Sequence, residues 1–193
     1  MKKIFLIRHG KPAKHGTYDP EAALPGHAVG RMLDDYANTG VDCSSPPPEA
    51  LVRLLAGTTI VLASPLRRAI ESARLIYQDS SVRRCAWLRE ADLPYGYFSS
   101  LQMNPEAWMF LMRTLWFGGF HRNAEPLRAA WSRARTACKE VLGTLESADM
   151  AAVFGHGFIN LFMLSVFLSK GWRLGGAIQT GYWACNTIQV NRP

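Results

Sequence analysis

The sequence predicts an α/β fold: three layers, α/β/α, with a mostly parallel central sheet and helices on both faces. Three observations point there. Short apolar runs at Ile4-Phe5-Leu6-Ile7, within Thr58–Ala63 and at Met150–Phe154 have the length and composition of strands buried on both sides. The second and third run almost directly into helical stretches, which is the alternation a parallel sheet requires. Between them, Glu125–Glu146 sets Leu127, Trp131, Ala134, Cys138, Val141 and Leu145 at helical spacing, giving one apolar face to lay on a sheet.

The elements follow in order. The first strand ends in Arg8-His9-Gly10, and Lys11–Gly26, rich in Pro, Gly and polar residues, is a loop. A helix is expected over about His27–Tyr36, with Val29, Met32, Leu33 and Tyr36 on one face. Val41–Pro48 is a second loop, since Pro46-Pro47-Pro48 bar helix, and a short helix over Glu49–Ala56 stops at Gly57. After the strand at Thr58–Ala63, Ser64 reads as an N-cap and Pro65 as the first residue of a helix reaching about Tyr77. Ser81–Leu88 is a third strand. Leu93–Asn123, with Tyr95, Tyr97, Phe98, Trp108, Phe110, Trp116, Phe117 and Phe120, reads as an aromatic insertion, helical from Pro105 to about Leu115. Then come the Glu125–Glu146 helix, the Met150–Phe154 strand, a helix over about Phe158–Lys170 closed by Gly171, and a last strand at Tyr182–Val190.

At 193 residues the chain is most simply one domain, 1–193, with the insertion at about 93–123 as a cap. The apolar fraction of 48% and mean hydropathy of −0.04 are those of a globular protein in water. The longest apolar stretch, Phe158–Leu168, falls well short of the about 20 residues of a membrane span and reads as a buried helix. A net charge of +7 favours acidic partners. The basic residues are nevertheless scattered pairs such as Arg67-Arg68 and Arg83-Arg84, so a small phosphorylated molecule is the expected partner rather than nucleic acid. The four cysteines form no C-x-x-C pair and the N-terminus lacks a secretory pattern, so a reducing cytoplasm is the expected compartment.

Candidate site residues gather at strand ends, where open α/β sheets bind ligands. Arg8 and His9 follow the first strand, Arg68 the second, and His156, in Gly155-His156-Gly157, the fourth. Arg67 and Arg68 occupy the first turn of a helix, where cations oppose the dipole. Gripping an anion beside the free N–H groups is a reason to put one there.

R-H-G at Arg8–Gly10, S-P-x-x-R-A at Ser64–Ala69 and H-G at His156-Gly157, in that order and those settings, resemble the histidine phosphatase superfamily, the phosphoglycerate mutase-like proteins. The resemblance implies that His9 is the nucleophile, forming a phosphohistidine, and that Arg8, Arg68 and His156 hold the phosphate, with no metal and no cofactor. A planar, permanently charged guanidinium suits equatorial phosphoryl oxygens. The family's acid lies in an L-x-E stretch, matched by Leu88-Arg89-Glu90. Glu90 is therefore the expected general acid, with Asp92, two residues on, as its rival.

Departures steer the reading. The mutase-like Asn six residues after the nucleophile is His15, open between a phosphate contact and a loop residue. Lys11-Pro12 replaces the usual residues after R-H-G, and no E-G pair follows the acid near Tyr95-Gly96. These differences favour a metal-independent phosphomonoester phosphatase. The alternatives are a mutase-type phosphotransferase, a phosphohistidine-protein phosphatase, or an inactive phosphate-binding module. Arg67, Arg83 and Arg84 read as surface charge, and His27 and His121 as structural or exposed. The insertion's aromatics read first as cap packing. The sharper alternative has Trp108, Phe110, Trp116 and Phe117 lining an apolar subsite.

Overall fold

A computed structural model describes residues 1–14, 19, 21–78, 81–96 and 101–190. Six strands form one mixed sheet in the order β4-β3-β6-β1-β8-β7. They are β1 (Lys2–Arg8), β3 (Ile60–Ala63), β4 (Val82–Arg84), β6 (Met150–Gly155), β7 (Arg173–Leu174) and β8 (Cys185–Val190). Strands β4, β3, β6 and β1 run parallel, and β8 joins the edge of β1 antiparallel. The two-residue strands β2 (Leu24–Pro25) and β5 (Gln102–Met103) pair with each other. They and β7 are too short to show a period-two pattern in sequence.

The helices are α1 (Val29–Asn38), α2 (Glu49–Leu54), α3 (Arg67–Arg74), α4 (Pro105–Phe117), α5 (Leu127–Thr144) and α6 (Gly157–Ser169). Alternation along β1 divides the core. Ile4 and Leu6 pack with Ala134, Cys138 and Val141 of α5 and with Ile159, Met163 and Phe167 of α6. Phe5 and Ile7 pack on the other face with Leu51 of α2, Leu55, and Ile70 and Ala73 of α3. Helices thus cover both faces of the sheet. A third, smaller cluster joins Val29 and Met32 of α1 to Trp108 and Met112 of α4.

Three expected elements have shifted boundaries. Helix α3 begins at Arg67, with Leu66 at the N-cap, and Ser64 is not its cap. The Ser64 hydroxyl is engaged by a histidine, described below. The last strand begins at Cys185. Tyr182 and Trp183 form a turn before it, with Trp183 in the left-handed region at φ 59°. The third strand is likewise shorter than expected, because a 3-10 turn takes over at Ala86–Leu88.

Register positions the site. In the parallel ladders Arg8 lies opposite Gly155 and Ala63 opposite Phe154. The carboxyl ends of β1, β3 and β6 are therefore level, and His9, Ser64 and His156 emerge side by side.

Candidate active site

His9 and His156 lie at the floor of this edge, 1% and 0% exposed, with ring centroids 5.0 Å apart. The His9 tautomer follows from its partners. Nδ1 lies 2.7 Å from the carbonyl of Gly10, which only accepts, so Nδ1 carries the proton. Nε2 is left as an acceptor, and the Nε–H of Arg68 donates to it at 3.2 Å. Burial first and the Arg68 charge second hold the His9 pKa well below its ordinary 6.5; the Gly10 hydrogen bond opposes them, and Arg8 adds the smallest lowering effect.

Arg68 is 2% exposed, and its NH1 donates to the carbonyls of Tyr36 at 2.8 Å and Ala37 at 3.3 Å. These contacts from the end of α1 aim the guanidinium at His9. Arg8 donates through NH1 to Thr180 O at 2.5 Å, while its buried Nε has no partner. His156 repeats the pattern. Its Nε2 is 2.8 Å from the Ser64 hydroxyl, and its buried Nδ1 has no partner. The Leu66 N–H donates to Ser64 Oγ at 3.3 Å, which leaves the hydroxyl hydrogen available to Nε2; in the tautomer with Ser64 as donor, Nδ1 carries the ring proton. Burial first, then Arg68, also push the His156 pKa well below 6.5. Buried polar nitrogens without partners are uncommon, and two of them beside an unprotonated imidazole nitrogen suit an anion, which a protonated Nδ1 and Arg8 Nε would both bind.

The turn that carries His9 is braced from two sides. The Gly10 N–H donates to Ser72 Oγ at 2.8 Å, and the Ser72 hydroxyl donates to Arg68 O at 2.6 Å, which ties the turn to α3. The Trp183 indole occupies the space beside Gly10. A Cβ there would sit 2.6 Å from the ring, so only glycine fits.

The two candidate carboxyls separate. Glu90 accepts the N–H groups of Phe158 at 3.3 Å and Ile159 at 3.1 Å in the first turn of α6, and that of Ala91 at 2.9 Å. A Cβ on Gly157 would lie 3.8 Å from Glu90 Oε2 and 3.9 Å from Arg8 Cζ, so Glu90 and Arg8 flank the same backbone. Asp92 instead pairs with Arg89 at 2.5 Å, on a partly exposed face. Two buried or half-buried arginines hold the Glu90 stretch by its carbonyls. Arg113 donates to Ala91 O at 2.7 Å. Arg133, paired with Glu125, donates to those of Trp87, Arg89 and Glu90.

The remaining candidates disperse. His15 lies outside the described residues. Arg67 is exposed and paired with Glu71, while Arg83, Arg84, His27 and His121 are exposed. Trp108 and Trp116 are fully buried, their indole N–H groups donating to Leu24 O and Glu125 O, so they pack rather than line an opening. Phe110 is 76% exposed. All four cysteines are unpaired. Among the described residues no group of three His, Cys, Asp or Glu side chains is placed to hold a metal ion, and no helix is long and apolar enough to cross a membrane.

Several contributors escape sequence reasoning. Ser72, Tyr36 and Tyr182 reach the site only through the fold, and Ser64, part of the S-P-x-x-R-A motif, finds its His156 partner only there. The one local signal was the position of Tyr182 just ahead of a strand that pairs with β1.

Comparison with known proteins agrees with this geometry. The chain is similar in structure to the alpha-ribazole phosphatase from Shigella flexneri, at 20% identity and a TM-score of 0.58, covering 98% of this chain and 91% of that one. Mycobacterial glucosyl-3-phosphoglycerate phosphatase aligns at 16% identity and a TM-score of 0.57, over 87% and 80% of the two chains. The ecdysone phosphate phosphatase from Bombix mori, in complex with tungstate, aligns at 14% identity and a TM-score of 0.55, over 100% and 93%. At these identities the likeness is one of fold. No curated protein sequence matches the chain. The family model of the histidine phosphatase superfamily (branch 1) matches residues 49–192, a span that contains Arg68, Glu90 and His156 and that the parallel register of β1 joins to Arg8 and His9. The chain belongs to the histidine phosphatase superfamily, branch 1.

Proposed function

We propose that the protein is a metal-independent phosphomonoester phosphatase that works through a phosphohistidine on His9. The observation that carries this reading is the unprotonated Nε2 of His9, held between Gly10 and Arg68 and bordered by the unpartnered donors Arg8 Nε and His156 Nδ1.

Nε2 attacks phosphorus. The N–P bond forms as the P–O bond to the alcohol breaks, and the departing oxygen takes a proton from the Glu90 carboxyl. The Arg68 N–H that rests on Nε2 passes to a phosphoryl oxygen, and Arg8 and His156 supply further donors as charge spreads over the equatorial oxygens. Water then attacks phosphorus, giving its proton to Glu90, and the electron pair of the P–N bond returns to His9. Glu90 suits the acid role better than Asp92 because it stands beside Arg8, whereas Asp92 is engaged by Arg89. The stretch at about 93–123 serves in this reading as a cap, anchored by Trp108 and Met112 on α1.

The test is hydrolysis of p-nitrophenyl phosphate in excess EDTA by wild type and His9→Ala. This activated ester needs little help from an acid, so the outcome reads His9 alone. Activity that persists in EDTA and vanishes with His9, together with an acid-labile phosphoenzyme in wild type, is the expected result. Activity that survives His9→Ala overturns the mechanism.

A further inference from the structure

Each arginine of the site is covered by a tyrosine. Arg8 Cζ lies 4.5 Å from the centroid of the Tyr182 ring, and Arg68 Cζ lies 4.4 Å from that of Tyr36. The rings take the flat faces of the guanidiniums and leave their N–H edges for a phosphate. Tyr182 also reaches the nucleophile, its ring 5.8 Å from that of His9 and tilted by 41°. His9 is 1% exposed whereas Tyr182 is 41% exposed, so the tyrosine spans from the floor of the site to its rim.

In-line displacement sets the direction of the substrate. With Nε2 attacking from the floor, the leaving oxygen lies on the far side of phosphorus and the alcohol points outward. It must pass the part of Tyr182 that Arg8 does not cover. An aromatic ring half open to water and half committed to a cation offers its free surface to another flat group.

We infer that Tyr182 and Tyr36 form an aromatic slot for the leaving group, selecting phosphomonoesters whose alcohol carries a flat ring. This rests on the phosphatase reading for its chemistry, but the slot itself is tested by binding alone.

The experiment uses three non-hydrolysable phosphonates and calorimetry on the full chain. 3-Phenylpropylphosphonate and 3-cyclohexylpropylphosphonate match in length and differ in flatness; 2-carboxyethylphosphonate carries no ring. Wild type should bind the phenyl compound severalfold to about tenfold more tightly than the cyclohexyl one, the size of a stacked aromatic pair. The carboxyethyl compound should bind weakest. Tyr182→Leu, which keeps apolar cover over Arg8 without a ring, should bring the phenyl to cyclohexyl ratio close to one. Tyr36→Leu, on a separate element, should lower it too, so a folding defect in one variant leaves the other to decide. Equal binding of phenyl and cyclohexyl compounds, a ratio untouched by both variants, tightest binding of the carboxyethyl compound, or no binding of any of the three overturns the slot. Preferential phenyl binding in a protein that hydrolyses no ester overturns the phosphatase reading and leaves the slot standing.

Discussion

The Nε–H of Arg68 donates to Nε2 of His9 across 3.2 Å, so a permanent cation points at the nitrogen that the proposed mechanism needs unprotonated. Two effects act together there. Burial disfavours the imidazolium, and a positive neighbour disfavours it again. The imidazole is a free base near neutral pH because of where the fold puts it.

The acid limb of kcat/KM should therefore lie below pH 6.5, the ordinary value for histidine. Arg68→Gln removes the second cause but not the first, so the limb should move up toward 6.5 by only part of its displacement. Activity should fall by about two to three orders of magnitude, as for loss of a transition-state donor. A wild-type limb at or above 6.5 refutes the account.

Stability should fall on the same side. His9 and His156 have folded pKa values below 6.5, so under acid conditions the unfolded chain binds protons that the native chain refuses. Stability is intact above about pH 6.5. It should decline as pH drops from there toward the folded values, then stop changing on their account. Urea midpoints across this range measure the loss, and His156→Gln should shrink it.

Ser72→Ala should cost about 1–3 kcal/mol, the penalty of leaving a buried N–H, that of Gly10, without its acceptor. Because Gly10 O orients His9, kcat should drop as well. A variant with wild-type stability and kcat would show that the brace is dispensable.

Gly10→Ala forces the Trp183 indole away from a Cβ that would sit 2.6 Å from it. The expected loss is about 1–3 kcal/mol for overpacking, with a sharp fall in kcat. Trp183→Phe, a smaller ring, should restore part of both in the double variant, read by thermal midpoint and turnover.

Glu90→Gln should discriminate between esters. If the carboxyl protonates the departing oxygen, alkyl phosphates should lose far more activity than p-nitrophenyl phosphate, whereas Asp92→Asn should change neither much. Glu90 also caps α6 through Phe158 and Ile159, so Glu90→Ala should destabilise by about 1 kcal/mol in a denaturant titration. Equal losses on both esters would remove Glu90 from proton transfer and leave it as a cap.

Local composition carried a large part of this molecule. The runs that became β1, β3 and β6 are apolar throughout because both faces of each strand are covered, and burial of that kind is visible without neighbours. Arg8, His9 and His156 were identifiable because each sits at the end of such a run, where packing offers no reason for a charged or titratable group, and Arg68 because a cation in the first turn of the helix after β3 opposes the dipole. Periodicity placed α5, and a continuous apolar run closed by Gly171 placed α6, within a residue or two of their ends.

Other features depended on residues far apart in the chain. Ser64 looked like a helix cap because a hydroxyl ahead of Pro65 satisfies that local rule, but His156, 92 residues away, competes for it and wins. Tyr182 looked like strand, until the left-handed turn at Trp183 proved to be the way an indole reaches Gly10. Glu90 and Asp92 share a face on paper, and only the docking of α6 and the reach of Arg89 separate them. Sequence by itself determined the buried strands β1, β3 and β6, the main helices and four candidate groups for a phosphate, because these follow from short-range periodicity and from polar residues set where burial rules do not want them. Tertiary structure decided which nitrogen of His9 is free, which carboxyl stands by Arg8 and which rings border the opening, because hydrogen-bond partners and contacts across the sheet exist only once its strands are in register.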